Sequence, residues 1–171
     1  MSETGAVELL TAEADLQPPD VRALAPDERD ALIVSAVKVD GECRVLSLYG
    51  ADRWELVGGT TNVCSSGRVL NFKLAPEPLK ATMKAIVYRY LRRGRAGQKR
   101  PRSATVRLFF AYALPFLHHL VRNNVRRLAD VTPEICKLYV DACKAERTKE
   151  GAKPLVATTL STNCRKYANV F

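Results

Sequence analysis

The chain has 171 residues, 47% of them hydrophobic, and a formal net charge of +9. That length allows one domain, or one domain with an appendage, and that apolar content excludes global disorder. The charge is unevenly placed: residues 1–74 hold 7 Lys/Arg against 12 Asp/Glu, a net of −5, and residues 75–171 hold 20 against 6, a net of +14.

The first 30 residues are acidic and polar, broken by Gln17-Pro18-Pro19-Asp20 and Pro26-Asp27, and read as weakly ordered. They lack the basic start and apolar core of a secretory signal. Five cysteines (Cys43, Cys64, Cys136, Cys143, Cys164) are an odd number without a C-x-x-C pair. Reduced, buried thiols and a cytoplasmic location are therefore expected. Zinc asks for about four clustered ligands; the adjacent His118 and His119 and the scattered cysteines do not supply that spacing, so no metal, cofactor or small-molecule substrate is expected. Nor does any apolar run reach the roughly 18 residues of a membrane span. The longest, Leu108 to Leu117, is interrupted by Pro115.

Ala31 to Lys38 is a short apolar run, helix or strand. Residues 43–49 and 68–72 alternate as strands do, with turns marked by Gly58-Gly59 and Ser65-Ser66-Gly67. Residues 31–74 therefore read as a small, irregular α/β extension in which Trp54 is an anchor without an identified partner.

From Pro76 the periodicity becomes helical. A first long helix is predicted over Glu77 to Arg93, with Pro78 in its first turn, Gly94 as its stop and a stripe of Leu79, Met83, Ile86, Val87 and Tyr90. A basic linker, Arg95 to Pro101, follows. The next helix starts near Ser103, a natural N-cap, and buries Val106, Phe109, Phe110, Ala113, Leu114, Leu117, Leu120 and Val121. Arg107, His118 and Arg122 fall on its opposite face, and Pro115 predicts a kink. A third helix is capped by Thr132, with Pro133 at its first position and Glu134 at the positive end of its dipole. Ile135, Leu138, Tyr139, Ala142 and Cys143 face inward. A fourth begins near Thr158 or Thr159 with a stripe of Leu160, Cys164, Tyr167, Ala168 and Phe171.

Two clusters are candidate contacts to a polyanion. Arg89, Arg92, Arg93, Arg95, Lys99, Arg100, Arg102 and Arg107 form a run without an acid, and each phosphate they neutralise would release counterions. Thr158, Thr159, Ser161, Thr162, Asn163, Arg165 and Lys166 surround a predicted helix start, where short polar groups suit phosphates or base edges. His119-Leu120-Val121-Arg122 spells His-x-x-Arg, but it lies within a helix flanked by core residues. Tyr139 and Tyr167 sit on apolar stripes. No nucleophile with a base partner is visible, so the chain is not expected to be an enzyme by itself.

From about Leu79 to Phe171 the chain resembles the core-binding domain of tyrosine recombinases of the phage-integrase type. The resemblance is carried by Ser103-Ala-Thr-Val-Arg-Leu-Phe-Phe-Ala-Tyr112, by Phe116-Leu-His-His-Leu120, and by Val125-Arg-Arg-Leu-Ala-Asp-Val-Thr-Pro-Glu134. Pro154-Leu155 followed by Thr158-Thr159-Leu160 also carries it, and more weakly Tyr49 to Leu56 with Trp54. It implies a mainly α protein: a four-helix, SAM-like DNA-binding module over 75–171, behind an acidic extension over 1–74. It further implies duplex DNA as partner, other recombinase protomers on that DNA, and major-groove contacts from the second and fourth helices. The family's catalytic Arg, Lys, His-x-x-Arg and Tyr belong to a second domain expected after Phe171. Two rival readings use the same basic face: a helical protein-interaction module and an RNA-binding accessory protein.

Overall fold

The structure is a computed structural model that describes residues 20–39, 42–56, 69–94 and 101–149. Among them the protein is mainly helical, with four α-helices and two small two-stranded sheets. The predicted fourth long helix, at 158–171, lies outside the described residues.

Of the segment read as weakly ordered, residues 1–19 lie outside the described residues, and residues 20–30 have local structure. A 3-10 turn at Val21–Ala23 buries Val21, and α1 (Pro26–Asp30) follows. Proline opens α1, and the Glu28 carboxylate accepts the Ala25 N–H at 3.3 Å, so both ends of the first turn are set locally. The apolar run after it is a strand, β1 (Ile33–Val39), which pairs antiparallel with β2 (Glu42–Leu48). Ala36 lies opposite Val45 and Lys38 opposite Cys43, with a register irregularity around Ser35. A second sheet joins β3 (Arg53–Glu55) to β4 (Val69–Asn71), with Trp54 opposite Leu70. Two buried serines tie the sheets together. Ser35 Oγ donates to the Glu55 carbonyl, and Ser47 Oγ accepts the Glu55 N–H at 2.7 Å. Each supplies a partner that a ladder would otherwise provide.

Three long helices follow: α2 (Glu77–Arg93), α3 (Ser103–Arg122) and α4 (Pro133–Lys149). The predicted stripe of α2 is its α3-facing side: Leu79, Met83, Val87 and Tyr90 are buried, Ile86 partly so, and the Tyr90 ring meets Phe109 edge-on at 5.5 Å. Spacing did not reveal its second buried face, Lys84, Tyr88 and Arg92, at i, i+4 and i+8. Lys84 Nζ donates to the Gly50 carbonyl at 3.0 Å. Tyr88 meets Tyr49 edge-on at 5.5 Å, and Arg92 donates to the carbonyls of Ile33 and Val34. This face docks the helix onto the strands.

In α3 the cap is Arg102 rather than Ser103, without a side-chain cap bond. The helix continues through Pro115 to Arg122. By length and composition alone it meets the measure of a membrane span, a measure that a core helix also passes; its uninterrupted apolar run is no longer than expected. In the fold, one side of it is core: Val106, Phe109, Phe110, Ala113, Phe116, Leu117 and Leu120 are buried.

The end of α3 closes locally. Val125 N–H bonds the Leu120 carbonyl at 2.9 Å and Asn124 N–H bonds the Val121 carbonyl at 3.0 Å. Asn124 stands at φ 60°, and Val125 is buried. This is the Schellman pattern, with asparagine in the left-handed position and a hydrophobe beyond it. Thr132 Oγ1 accepts the Ile135 N–H at 3.4 Å, capping α4 as expected. On α4, Ile135, Cys136 and Tyr139 pack against the core, but Leu138, expected inward, is 54% exposed, and Ala142 is exposed.

One hydrophobic cluster runs from Val21 through Trp54, Leu70 and Phe72 to Leu120 and Val125. A chain of rings carries it across: Tyr49 to Trp54 at 5.4 Å, Trp54 to Phe72 at 4.5 Å, Phe72 to Phe110 at 5.0 Å. Trp54, fully buried, thus finds its partners in Tyr49 and Phe72. Charge changes sign at residue 74, but packing runs straight across it.

Candidate nucleic-acid interface

The basic run divides into side chains that hold the fold and side chains that face outward. Arg92 belongs to the fold. Besides its two carbonyl partners, its guanidinium lies 5.1 Å from the Tyr88 ring centre, and its Nε is buried. It was expected to meet phosphate, and instead it is committed to β1. The phase of α2 decides this: Arg92 follows the buried Tyr88 by one turn. Arg89 and Arg93 are themselves one turn apart, and both are exposed. Arg93 also lies at the negative end of the helix dipole, which favours a cation there. Gly94, at φ 65°, then takes the chain out of α2.

Across the linker, Arg102 and Arg107 are exposed at the start of α3. Arg95, Lys99 and Arg100 lie outside the described residues. So does the whole second cluster of Thr158, Thr159, Ser161, Thr162, Asn163, Arg165 and Lys166.

Three further arginines are part of the outward basic set: Arg122, Arg126 and Arg127, all exposed around the turn that ends α3. The signal for them was present, because no Asp or Glu occurs between Glu77 and Asp130. Among the described residues, none of Arg89, Arg93, Arg102, Arg107, Arg122, Arg126 and Arg127 is within 4 Å of a carboxylate oxygen. Exposed cations without internal partners are free to exchange counterions for phosphates.

Arg89 also borders a cleft of about 800 Å³ between α2, the Asp20–Asp30 segment and Leu128-Ala129. Its wall carries Arg22, Arg29, Lys80 and Lys84 as well as Asp20, Asp30 and Glu77. Lys80 is paired with Glu77 at 2.7 Å. Lys84 reaches Asp52 at 3.6 Å and lies 5.7 Å from the ring centres of both Tyr49 and Phe72. Burial pushes its ammonium down from the ordinary lysine range, and Asp52 partly offsets this. Lys84 thus acts as a clamp on the turn at Gly50, whose backbone approaches α1 closely. A Cβ at Gly50 would come within 2.9 Å of the Asp30 Cβ.

His118 is exposed and donates Nε2–H to the Leu74 carbonyl at 2.9 Å. His119 is half-buried, its ring 5.3 Å from Tyr139 and its Nε2 3.3 Å from the Asn123 amide. Tyr139 also packs edge-on against Phe116 at 5.1 Å. The His-x-x-Arg sequence therefore places its histidine against α4 and its arginine in solvent. Cys43 is exposed, contrary to the buried role expected of the cysteines; Cys136 and Cys143 are half-buried thiols. Among the described residues no three of His, Cys, Asp or Glu gather as metal ligands would.

Comparison of the chain with family models, with curated proteins and with solved structures gave no match.

Proposed function

We propose that this protein binds duplex DNA through its basic half, as the N-terminal part of a site-specific tyrosine recombinase, and does not itself cut DNA. The observation that carries the reading is the set of exposed arginines on α2, α3 and the turn after α3 that, among the described residues, have no carboxylate within 4 Å. They flank a linker that adds Arg95, Lys99 and Arg100. Phosphate contacts from this set fix position on the duplex without reading sequence. The order of three described helices, with the Asp-Val-Thr-Pro junction capping α4, agrees with a SAM-like core-binding module. In this reading residues 158–171 supply its fourth helix, and Asn163 and Arg165 meet base edges.

The test is a pair of variants in a duplex-binding titration. Replacing Arg95, Lys99 and Arg100 together with Ala weakens binding to all sequences alike and lowers the salt slope by up to about three. Replacing Asn163 or Arg165 changes the ratio of specific to random DNA. Structured RNA competing as well as duplex would favour the accessory RNA-binding reading. One observation favours a protein-interaction module: Leu108 and Tyr112, one turn apart on α3, are 46% and 49% exposed. Binding to an acidic protein with no preference for DNA would support that reading instead.

A further inference from the structure

We infer that the outward face of α3 around Leu108 and Tyr112 is a docking surface for a short acidic amphipathic helix of a partner protein. The inference neither needs DNA binding nor excludes it.

Three observations carry it. Leu108, Tyr112 and Pro115 stand at i, i+4 and i+7 of α3 and are all exposed, the first two at 46% and 49%. Positions so spaced share one face of a helix. Next, His118 donates to the Leu74 carbonyl at 2.9 Å and so holds Leu74, itself 55% exposed, beside the same helix. From Leu108 to His118 the helix runs about 15 Å, roughly three turns. Last, the rim is basic. Arg107 precedes the apolar strip and Arg122 follows Pro115 by two turns; both are exposed, with no carboxylate within 4 Å among the described residues. The helix itself contains no Asp or Glu.

Charge decides what covers the strip. A second copy of this chain would bring the same arginines to the same rim, and like charges placed together oppose association. Phosphates would suit the arginines but leave Leu108 and Tyr112 against water. Two large side chains one turn apart are the scale of a single helix contact. They are too few to hold a chain on a bilayer, where affinity scales with the apolar area buried. A helix with apolar residues at i, i+3, i+4 and i+7 and carboxylates along its edges satisfies both the strip and the rim.

The probes are synthetic peptides of Leu, Glu and Ala, about 18 residues or roughly five turns long. One places its leucines on a single helical face. A second permutes the same composition so that no apolar face forms. A third keeps the first pattern with Lys in place of Glu. Each is titrated by fluorescence anisotropy with the full chain and with the double variant Leu108→Ser, Tyr112→Ser. Both side chains are half exposed, so the double variant should melt with the parent. The parent is expected to bind the amphipathic acidic peptide about tenfold tighter than the permuted one, because apolar surface remains to be buried there. The double variant should lose that preference, and the lysine peptide should bind neither protein. Duplex affinity should be the same for both proteins.

Equal binding of the amphipathic and permuted peptides, or binding of neither, would overturn the inference. So would a preference that survives in the double variant, or a lysine peptide bound as well as the acidic one. Other occupants would overturn it too: a dimer in sedimentation that only the parent forms, or anionic vesicles that only the parent binds. A double variant melting well below the parent would mean that the chain covers the strip itself. Loss of duplex affinity in the double variant would put DNA there instead. Absence of duplex binding by both proteins, with the peptide preference intact, would sink the DNA reading and leave this inference standing.

Discussion

Truncating Arg92 to alanine removes two hydrogen bonds from a charged donor and one ring contact, at a position that looks in sequence like any other arginine of the basic run. The bonds go to the carbonyls of Ile33 and Val34 and the ring is Tyr88. A hydrogen bond to a charged group contributes about 1.5–3 kcal/mol, and a cation over an aromatic ring about 0.5–1 kcal/mol near the surface. Against this, the truncation removes a buried Nε–H without a partner, which returns about 1 kcal/mol or more. The net loss is about 2.5–6 kcal/mol. For a chain of this size that corresponds to a fall in Tm of roughly 8–18 °C. Arg93→Ala, one residue on and exposed, leaves Tm within about 2 °C, as surface substitutions do, and weakens duplex binding. Thermal melts and DNA titrations of both variants read the two effects separately. If Arg92→Ala melted like the parent and lost DNA affinity as Arg93→Ala does, the division of the run into structural and outward arginines would be refuted.

Burial pushes the Tyr49 hydroxyl up from its usual 10.0 to about 12. The folded state therefore resists an ionisation that the unfolded chain undergoes, so this contribution is full below pH 10 and is lost as pH rises from 10 toward 12. Tyr49→Phe should flatten the alkaline fall in stability over that interval, measured by denaturant midpoints; an unchanged slope would remove Tyr49 as its cause. At the end of α3, Asn124→Val should cost about 1–2 kcal/mol because a β-branched residue resists the left-handed conformation. Asn124→Gly should cost nothing measurable, and equal destabilisation by both would locate the effect in the asparagine side chain instead. Incubation with nicked or supercoiled DNA should yield no covalent protein–DNA band on a denaturing gel. A band abolished by Tyr139→Phe or Tyr167→Phe would overturn the reading of those tyrosines as non-catalytic.

The helical half was legible because its punctuation is chemical. Pro78 and Gly94 bound α2, and Thr132-Pro133 opens α4. Residues whose role depends on a partner distant in sequence were not. Lys84 and Arg92 are cations that spacing alone assigns to solvent, yet the strands offer them carbonyls at Gly50 and at Ile33 and Val34. Strand β3 has only three residues, and its single exposed–buried–exposed alternation is too short to stand out in sequence; it is held where Trp54 packs between Tyr49 and Phe72. The β1–β2 pairing had a local signal that went unread, since the strands flank Asp40-Gly41, a dipeptide that favours hairpin turns. Leu138 satisfied the inward spacing of α4 and is nevertheless exposed, whereas the neighbouring Cys136 packs on the core. A stripe gives the width of an apolar face, and only the partner helix fixes which edge of it is covered.

The central claim is that the exposed arginines bind the phosphates of duplex DNA, and the salt dependence of that binding tests it most directly. If about four to six Lys/Arg engage, the logarithm of the association constant falls with the logarithm of salt concentration at a slope of about −4 to −5. Duplex binding whose affinity is flat across the same range of salt, or no binding at low salt, would contradict it.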